Sequence, residues 1–110
     1  MEKHTSPRFR LTPRQRDVLR KLKIAEDDPN SEWDLVWERG GGAWVGWEHT
    51  SRRTIDVLLR WALISMDSHS VCGKYEFYEL NSYGRRALDH EAEVLQEIHD
   101  IFEKARRQTL

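Results

Sequence analysis

The sequence contains a single cysteine, Cys72, among its 110 residues. One cysteine excludes an internal disulfide and is typical of a reducing compartment such as the cytoplasm. No apolar run approaches the ~20 residues that a membrane-spanning helix needs. Residues 1–7 also lack the apolar core of a secretory signal. We therefore expect a cytoplasmic protein that makes no contact with a membrane.

Motifs that would indicate an enzyme are missing as well. Gly40-Gly41-Gly42 is not followed by the Lys-Ser/Thr pair of a phosphate-binding loop. No serine stands in the Gly-x-Ser-x-Gly frame of a nucleophile elbow. His69 and Cys72 offer two metal ligands, whereas a structural zinc site usually needs four. The sequence thus predicts no catalytic activity, no metal and no cofactor, which leaves binding as the expected activity.

Aromatic and charged residues are abundant. Five tryptophans and an aromatic content of 10% argue against a disordered chain. The net charge of −1 hides a strong segregation, since residues 1–25 carry a net +6, residues 26–38 a net −6 and residues 39–63 a net +2. The basic front, residues 1–25, is where a polyanion would be expected to bind. A solvated surface of mixed sign is the alternative interpretation.

The first half of the chain predicts an arm, a helix and a hairpin. Residues 1–10 lack periodicity and indicate a flexible basic arm. Thr12, Pro13 and Gln15 form a helix-start pattern, and the helix is expected to end near residue 26. Two tryptophan-rich runs around the three glycines predict a hairpin over residues 33–47. A helix over part of residues 31–38 is the competing interpretation.

The second half predicts a helix, a hairpin and a long helix. Residues 51–63 place apolar side chains at positions i, i+3, i+4 and i+7, typical of a helix with one buried face. A hairpin with a polar tip at about 67–74 follows. The last helix would run from about 83 to 107 and, if straight, would be ~37 Å long.

The apolar residues of the last helix follow a heptad seam, with spacings of 7, 3, 4 and 3. They are Leu88, Leu95, Ile98, Phe102 and Ala105. A straight helix of this length outreaches a domain whose radius of gyration is ~13 Å. We therefore expect these residues to form a homodimer interface. The alternative is that the helix folds back along its own domain.

The order of elements resembles a winged helix-turn-helix protein over residues 11–88. Residues 51–64 are similar to a recognition helix that leads into a wing, and residues 75–88 to the returning wing strand and the "Gly-Arg-x-x-Leu" start of the next helix. With its long last helix, the plan is similar to MarR- and PadR-type regulators of bacteria or phages. The resemblance implies an α+β, mostly helical fold, with a winged-helix domain at 11–84 and a C-terminal helix at 85–110. Such proteins usually have a helix before the recognition helix, where this chain has the glycine-rich residues 40–47.

The resemblance implies a sequence-specific transcriptional regulator that binds double-stranded DNA as a dimer. The recognition helix would enter the major groove and the wing, at about residues 65–80, would lie on the flanking backbone. The residues expected to contact DNA are Arg8, Arg10, Thr50, Ser51, Arg52, Arg53, Arg60 and Lys74. The alternative function is a protein-interaction module that does not bind DNA, favoured by the acidic residues 26–38 and by any exposed tryptophan.

Overall fold

The computed structural model describes residues 9–67 and 73–108, which form three helices and a five-stranded antiparallel sheet. The predicted α+β class and the long last helix are confirmed. In chain order the elements are α1 (Pro13–Asp27), β1 (Leu35–Glu38), β2 (Gly42–Val45), β3 (Glu48–Thr50), α2 (Arg52–Arg60), β4 (Ile64–Met66), β5 (Tyr75–Leu80) and α3 (Ser82–Gln108). Arg8, His69 and Cys72 lie outside the described residues, as does most of the predicted arm.

Helix α1 begins where the capping pattern predicts. The Thr12 hydroxyl accepts a hydrogen bond from the Gln15 main-chain N–H at 3.2 Å, and the Gln15 side chain accepts one from the Thr12 N–H at 2.9 Å. Pro13 occupies the first turn, where its missing N–H leaves no helical hydrogen bond unmade. The residues of α1 that enter the core are Val18, Leu19 and Leu22.

Strand β1 lies in the middle of the sheet, whose order is β3-β2-β1-β5-β4. The predicted hairpin over residues 33–47 is confirmed as β1 and β2, and no helix forms over residues 31–38. Strand β3 has no counterpart in the sequence prediction. It follows a tight turn in which Gly46 takes a φ of +59°, a left-handed conformation that favours glycine.

One face of the sheet packs against the helices. Leu35 lies between Val45 on β2 and Tyr78 on β5, and all three are buried. Since side chains alternate along a strand, the neighbouring residues point to the opposite face. That face carries Val36, Trp44 and Phe77, which are partly exposed.

Helix α2 is shorter than predicted and ends at Arg60. Its first turn is capped by Ser51, and Ile55 and Leu58 are fully buried. At its end the Leu63 N–H donates to Leu58 O and the Ala62 N–H donates to Leu59 O. This is a Schellman motif, which requires a left-handed residue after the helix, and here Ala62 adopts it with φ +57°. The helix therefore stops before the predicted residue 63.

Strands β2 and β3 stand where the winged helix-turn-helix pattern places a helix directly before α2. Residues 28–51 are all described and contain three strands and no helix. The Trp33–Trp47 segment has alternating side chains and turn-forming glycines, a pattern that suits strands better than a helix. Helix α2 is consequently supported by a hairpin and by α1.

Helix α3 is kinked at His90, where φ and ψ are −138° and 52°. Beyond the kink Val94, Leu95 and Ile98 are buried in the core of the same chain. The second half of α3 therefore folds back along its own domain. This corrects the predicted dimer seam for Leu95 and Ile98, because side chains enclosed in one chain cannot also contact a second copy.

The start of α3 is fixed to the end of α2. The Asn81 side chain accepts a hydrogen bond from the Gly84 N–H at 2.9 Å and donates one to Ala62 O at 2.7 Å. Gly84 packs so closely that a Cβ there would lie 2.2 Å from Leu63 O. The absence of a side chain at this position is thus what lets α3 pass over the α2–β4 connection.

Candidate nucleic-acid interface

The basic residues of α1 are mostly neutralised by carboxylates of the same chain. Lys21 Nζ lies 2.8 Å from Asp17 and 2.6 Å from Glu48, and Arg14 Nη1 lies 3.1 Å from each of them. The hydrogen bond from Lys21 lowers the pKa of Asp17. Hydrogen bonds from Lys21 and Arg14 likewise lower the pKa of Glu48. Two cations and two anions cancel here, and they tie β3 to α1.

A second ion pair joins α1 to α3. Arg16 Nε donates to Glu91 at 2.6 Å, and the Leu11 N–H donates to the same carboxylate at 3.1 Å. Burial raises the pKa of Glu91, but these two hydrogen bonds outweigh it and the pKa falls below its usual value. Lys23 is likewise paired with Asp27 at 2.9 Å. The basic front is therefore not the open cationic face that its sequence suggests.

Arg52, predicted to face DNA, is turned back against the sheet. Its guanidinium donates to Asp56 at 3.0 Å, to the Tyr78 hydroxyl at 3.1 Å and to Glu76 at 3.3 Å. It also lies 5.2 Å from the ring centroid of Trp37, within cation–π range. Arg52 thus holds the start of α2 on β1 and β5, and its Nε and Nη1 groups donate within the chain.

Thr50 and Ser51 are also engaged within the domain. Thr50 is buried, and its hydroxyl accepts a hydrogen bond from Arg14 Nε at 3.3 Å. The Ser51 hydroxyl accepts from the Thr54 N–H at 3.1 Å and so caps α2. Thr50 is therefore closed to solvent, whereas Ser51 is exposed and its hydroxyl also shares a hydrogen bond with the Thr54 hydroxyl at 3.0 Å.

Arg53 and Arg60 differ from the basic residues of α1 and from Arg52, because both are exposed and form no ion pair with any described residue. They stand seven positions apart, two helical turns, so they lie on the same face of α2 at a rise of ~10 Å. Val57 lies between them, and the neighbouring Asp56 is paired with Arg52. The outer face of α2 therefore presents two unpaired guanidinium groups.

Lys74 directly precedes β5 and lies beside Arg39, a basic residue that was not among the predicted DNA contacts. The Arg39 N–H donates to Lys74 O at 2.9 Å, so the two residues are neighbours across the β1–β5 pair. Arg39 is exposed, whereas Lys74 is 3.6 Å from Glu38. Only the pairing of β1 with β5 brings these two cations together.

Arg10, another predicted DNA contact, is exposed, and its positive charge helps to lower the pKa of Glu91 on α3.

The three predicted dimer-interface residues that the core does not bury differ in how exposed they are. Phe102 is 50% exposed and Ala105 is exposed, whereas Leu88 is only partly exposed. Ile101, which the heptad seam omits, is 47% exposed beside them. An exposed apolar patch of Ile101, Phe102 and Ala105 therefore remains on the last turns of α3.

Within the described parts of the chain, no helix combines the length and apolarity needed to cross a membrane. Over residues 9–67 and 73–108, no three histidine, cysteine or acidic side chains are arranged to hold a metal ion. Comparison with known proteins finds no matching family model, no similar curated protein and no similar solved structure.

Proposed function

We propose that this chain is a DNA-binding transcriptional regulator of the winged-helix type, with α2 as the helix that enters the major groove. The observation that carries the proposal is the exposed pair Arg53 and Arg60. The fold neutralises the basic residues of α1 but leaves these two available on one helical face. Arginine can hydrogen-bond a guanine edge with two donors or neutralise a phosphate.

The β4–β5 hairpin supports the same orientation. Strands β4 and β5 pair with each other directly after α2, which suits the wing that the resemblance to winged-helix proteins implies. Arg52 links α2 to Glu76 and Tyr78 on β5, which holds the helix and the hairpin in one relative position. Arg39 and Lys74, at the same end of the sheet, are suited to phosphates that flank the groove.

The regulator would act as a dimer through the patch formed by Ile101, Phe102 and Ala105. These side chains are exposed on the last turns of α3, beyond the part that the domain itself buries. A twofold dimer would present two copies of α2, which suits half-sites about 34–36 Å apart along DNA. Leu95 and Ile98 contribute to this arrangement only by holding α3 on the domain.

The proposal is tested by fluorescence anisotropy with a pool of genomic DNA fragments, repeated over a range of salt concentrations. We expect Arg53→Ala and Arg60→Ala each to weaken binding. A phosphate contact would reduce the log–log salt slope by about one, and a base contact would cost about 1–3 kcal/mol on the preferred sequence. Arg107→Ala is the matched control, because Arg107 is exposed at the opposite end of the chain. Folded protein that binds no fragment at low salt would refute the proposal.

A further inference from the structure

A tryptophan pair, in which Trp47 is exposed and Trp33 is partly buried, lies beside the acidic residues 26–38. Trp47 is 65% exposed, and its ring centroid is 4.4 Å from that of Trp33 at an angle of 36°. The Gly46 N–H donates to Asp34 O at 2.9 Å, which fixes the turn that carries Trp47. A Cβ on Gly46 would come within 2.8 Å of the Trp33 ring. The main chain therefore holds Trp47 in place although its side chain is in solvent.

Trp33 also lines a groove of about 220 Å³ between the end of α1 and β5. The apolar part of the groove is formed by Leu22, Ala25 and Leu80, and its acidic part by Glu26, Asp34, Asp67 and Glu79. Glu26 is paired with Arg85 at 2.7 Å. Neither Asp34 nor Glu79 forms an ion pair with a described residue, and neither does Glu32 at the foot of the tryptophan pair. Negative charge beside the tryptophan pair therefore comes from Asp34 and Glu32, while Glu26 and Glu79 lie close to Arg85.

The carboxylates and indole rings of this surface favour a positively charged partner. Lys21 Nζ already lies 4.6 Å from the Trp33 ring centroid, so this indole binds a cation within the chain. A guanidinium group is planar, stacks on indole rings and pairs with carboxylates through several donors. DNA is repelled by the same carboxylates, so this surface is distinct from the outer face of α2. We propose that Trp47, Trp33 and the acidic groove dock an arginine-bearing basic segment of a protein partner.

The test uses a defined probe, the peptide acetyl-Gly-Arg-Gly-Arg-Gly-amide, and its neutral counterpart with citrulline in place of arginine. Binding to the full chain is followed by NMR through the indole N–H signals, which Trp33→Phe, Trp44→Ala and Trp47→Ala assign by loss of one peak each. We expect the arginine peptide to shift the Trp33 and Trp47 signals and to leave that of Trp44, on the opposite face of the sheet, unchanged. The citrulline peptide should bind at least several-fold more weakly, because it lacks the charge.

Two substitutions distinguish peptide binding at this surface from non-specific electrostatic attraction between the basic peptide and the acidic residues elsewhere on the protein. Trp47→Ala should weaken binding about three- to tenfold, through loss of one exposed cation–π contact and its apolar area. Asp34→Asn should weaken it about two- to fivefold, as expected of an exposed ion pair. Asp89→Asn is the matched control, since it removes the same charge from an exposed site on α3. Equal weakening by Asp89→Asn, equal binding of the citrulline peptide, or unshifted Trp33 and Trp47 signals would overturn the proposal.

Discussion

Replacing Leu95 by alanine tests whether the second half of α3 belongs to its own domain. Leu95 has no exposed surface and lies five positions beyond the kink at His90. Truncation of a buried leucine costs about 2–5 kcal/mol, because the lost transfer free energy is joined by the cost of a cavity. Val94 and Ile98 are buried beside it and limit collapse. We expect a loss of about 3 kcal/mol, which for a chain of this length lowers Tm by roughly 12–15 °C.

The assay is thermal unfolding by far-UV circular dichroism at a low and a high protein concentration. Because the cavity forms inside one chain, the loss in Tm should be the same at both concentrations. Phe102→Ala is the control at the low concentration, since a side chain half-exposed on the single chain should contribute less than about 1.5 kcal/mol there. The reasoning is refuted if Leu95→Ala costs less than about 1 kcal/mol, or if its effect appears only at the high protein concentration, as it would in a dimer seam.

Three further predictions concern backbone fit and charge. Gly84→Ala should destabilise the fold by about 3 kcal/mol in denaturant unfolding, because its Cβ would clash with Leu63 O. Ala62→Gly should instead raise the free energy of unfolding by up to about 1 kcal/mol, because glycine adopts the left-handed conformation at φ +57° without the strain that alanine has there. The third prediction is that the stabilising effect of the Glu91–Arg16 ion pair can be measured from the pH dependence of the free energy of unfolding in acid. The pKa of Glu91 is below its ordinary 4.5, so its stabilisation is present above that value and is lost as the pH falls through the folded-state pKa. The Glu91→Gln variant should therefore lose less stability in acid than the parent, and an identical pH profile would contradict this.

Local sequence patterns predicted the elements well where short-range physics decides them. The capping box at Thr12 and Gln15 and the hairpin around the glycines both form as expected. Strand β3 was missed because three residues carry too little alternation to identify a strand. The end of α2 was placed too late because an alanine, rather than glycine, takes the left-handed position after the helix.

The candidate interface was harder to predict than the fold. Arg52, Arg53 and Arg60 look alike in the sequence, yet only Arg53 and Arg60 stay outside the ion pairs of the domain. The Arg52 side chain packs against the sheet because Glu76 and Tyr78 on β5 accept its hydrogen bonds. The pairing of β1 with β5 brings Arg39 beside Lys74, although the two are thirty-five positions apart.

The sequence by itself determined the α+β class, the helix starts and the first hairpin, because caps, glycines and apolar periodicity act over a few residues. Only the tertiary structure decided which charges remain available. The basic residues of α1 meet Glu48 and Glu91 from distant elements and are mostly paired, while Arg53 and Arg60 form no ion pair with any described residue. It also decided the course of α3, since burying Leu95 on the domain stabilises the chain more than extending a straight helix into water. Ion pairing and burial depend on which side chains meet across the fold, and sequence spacing does not contain that information.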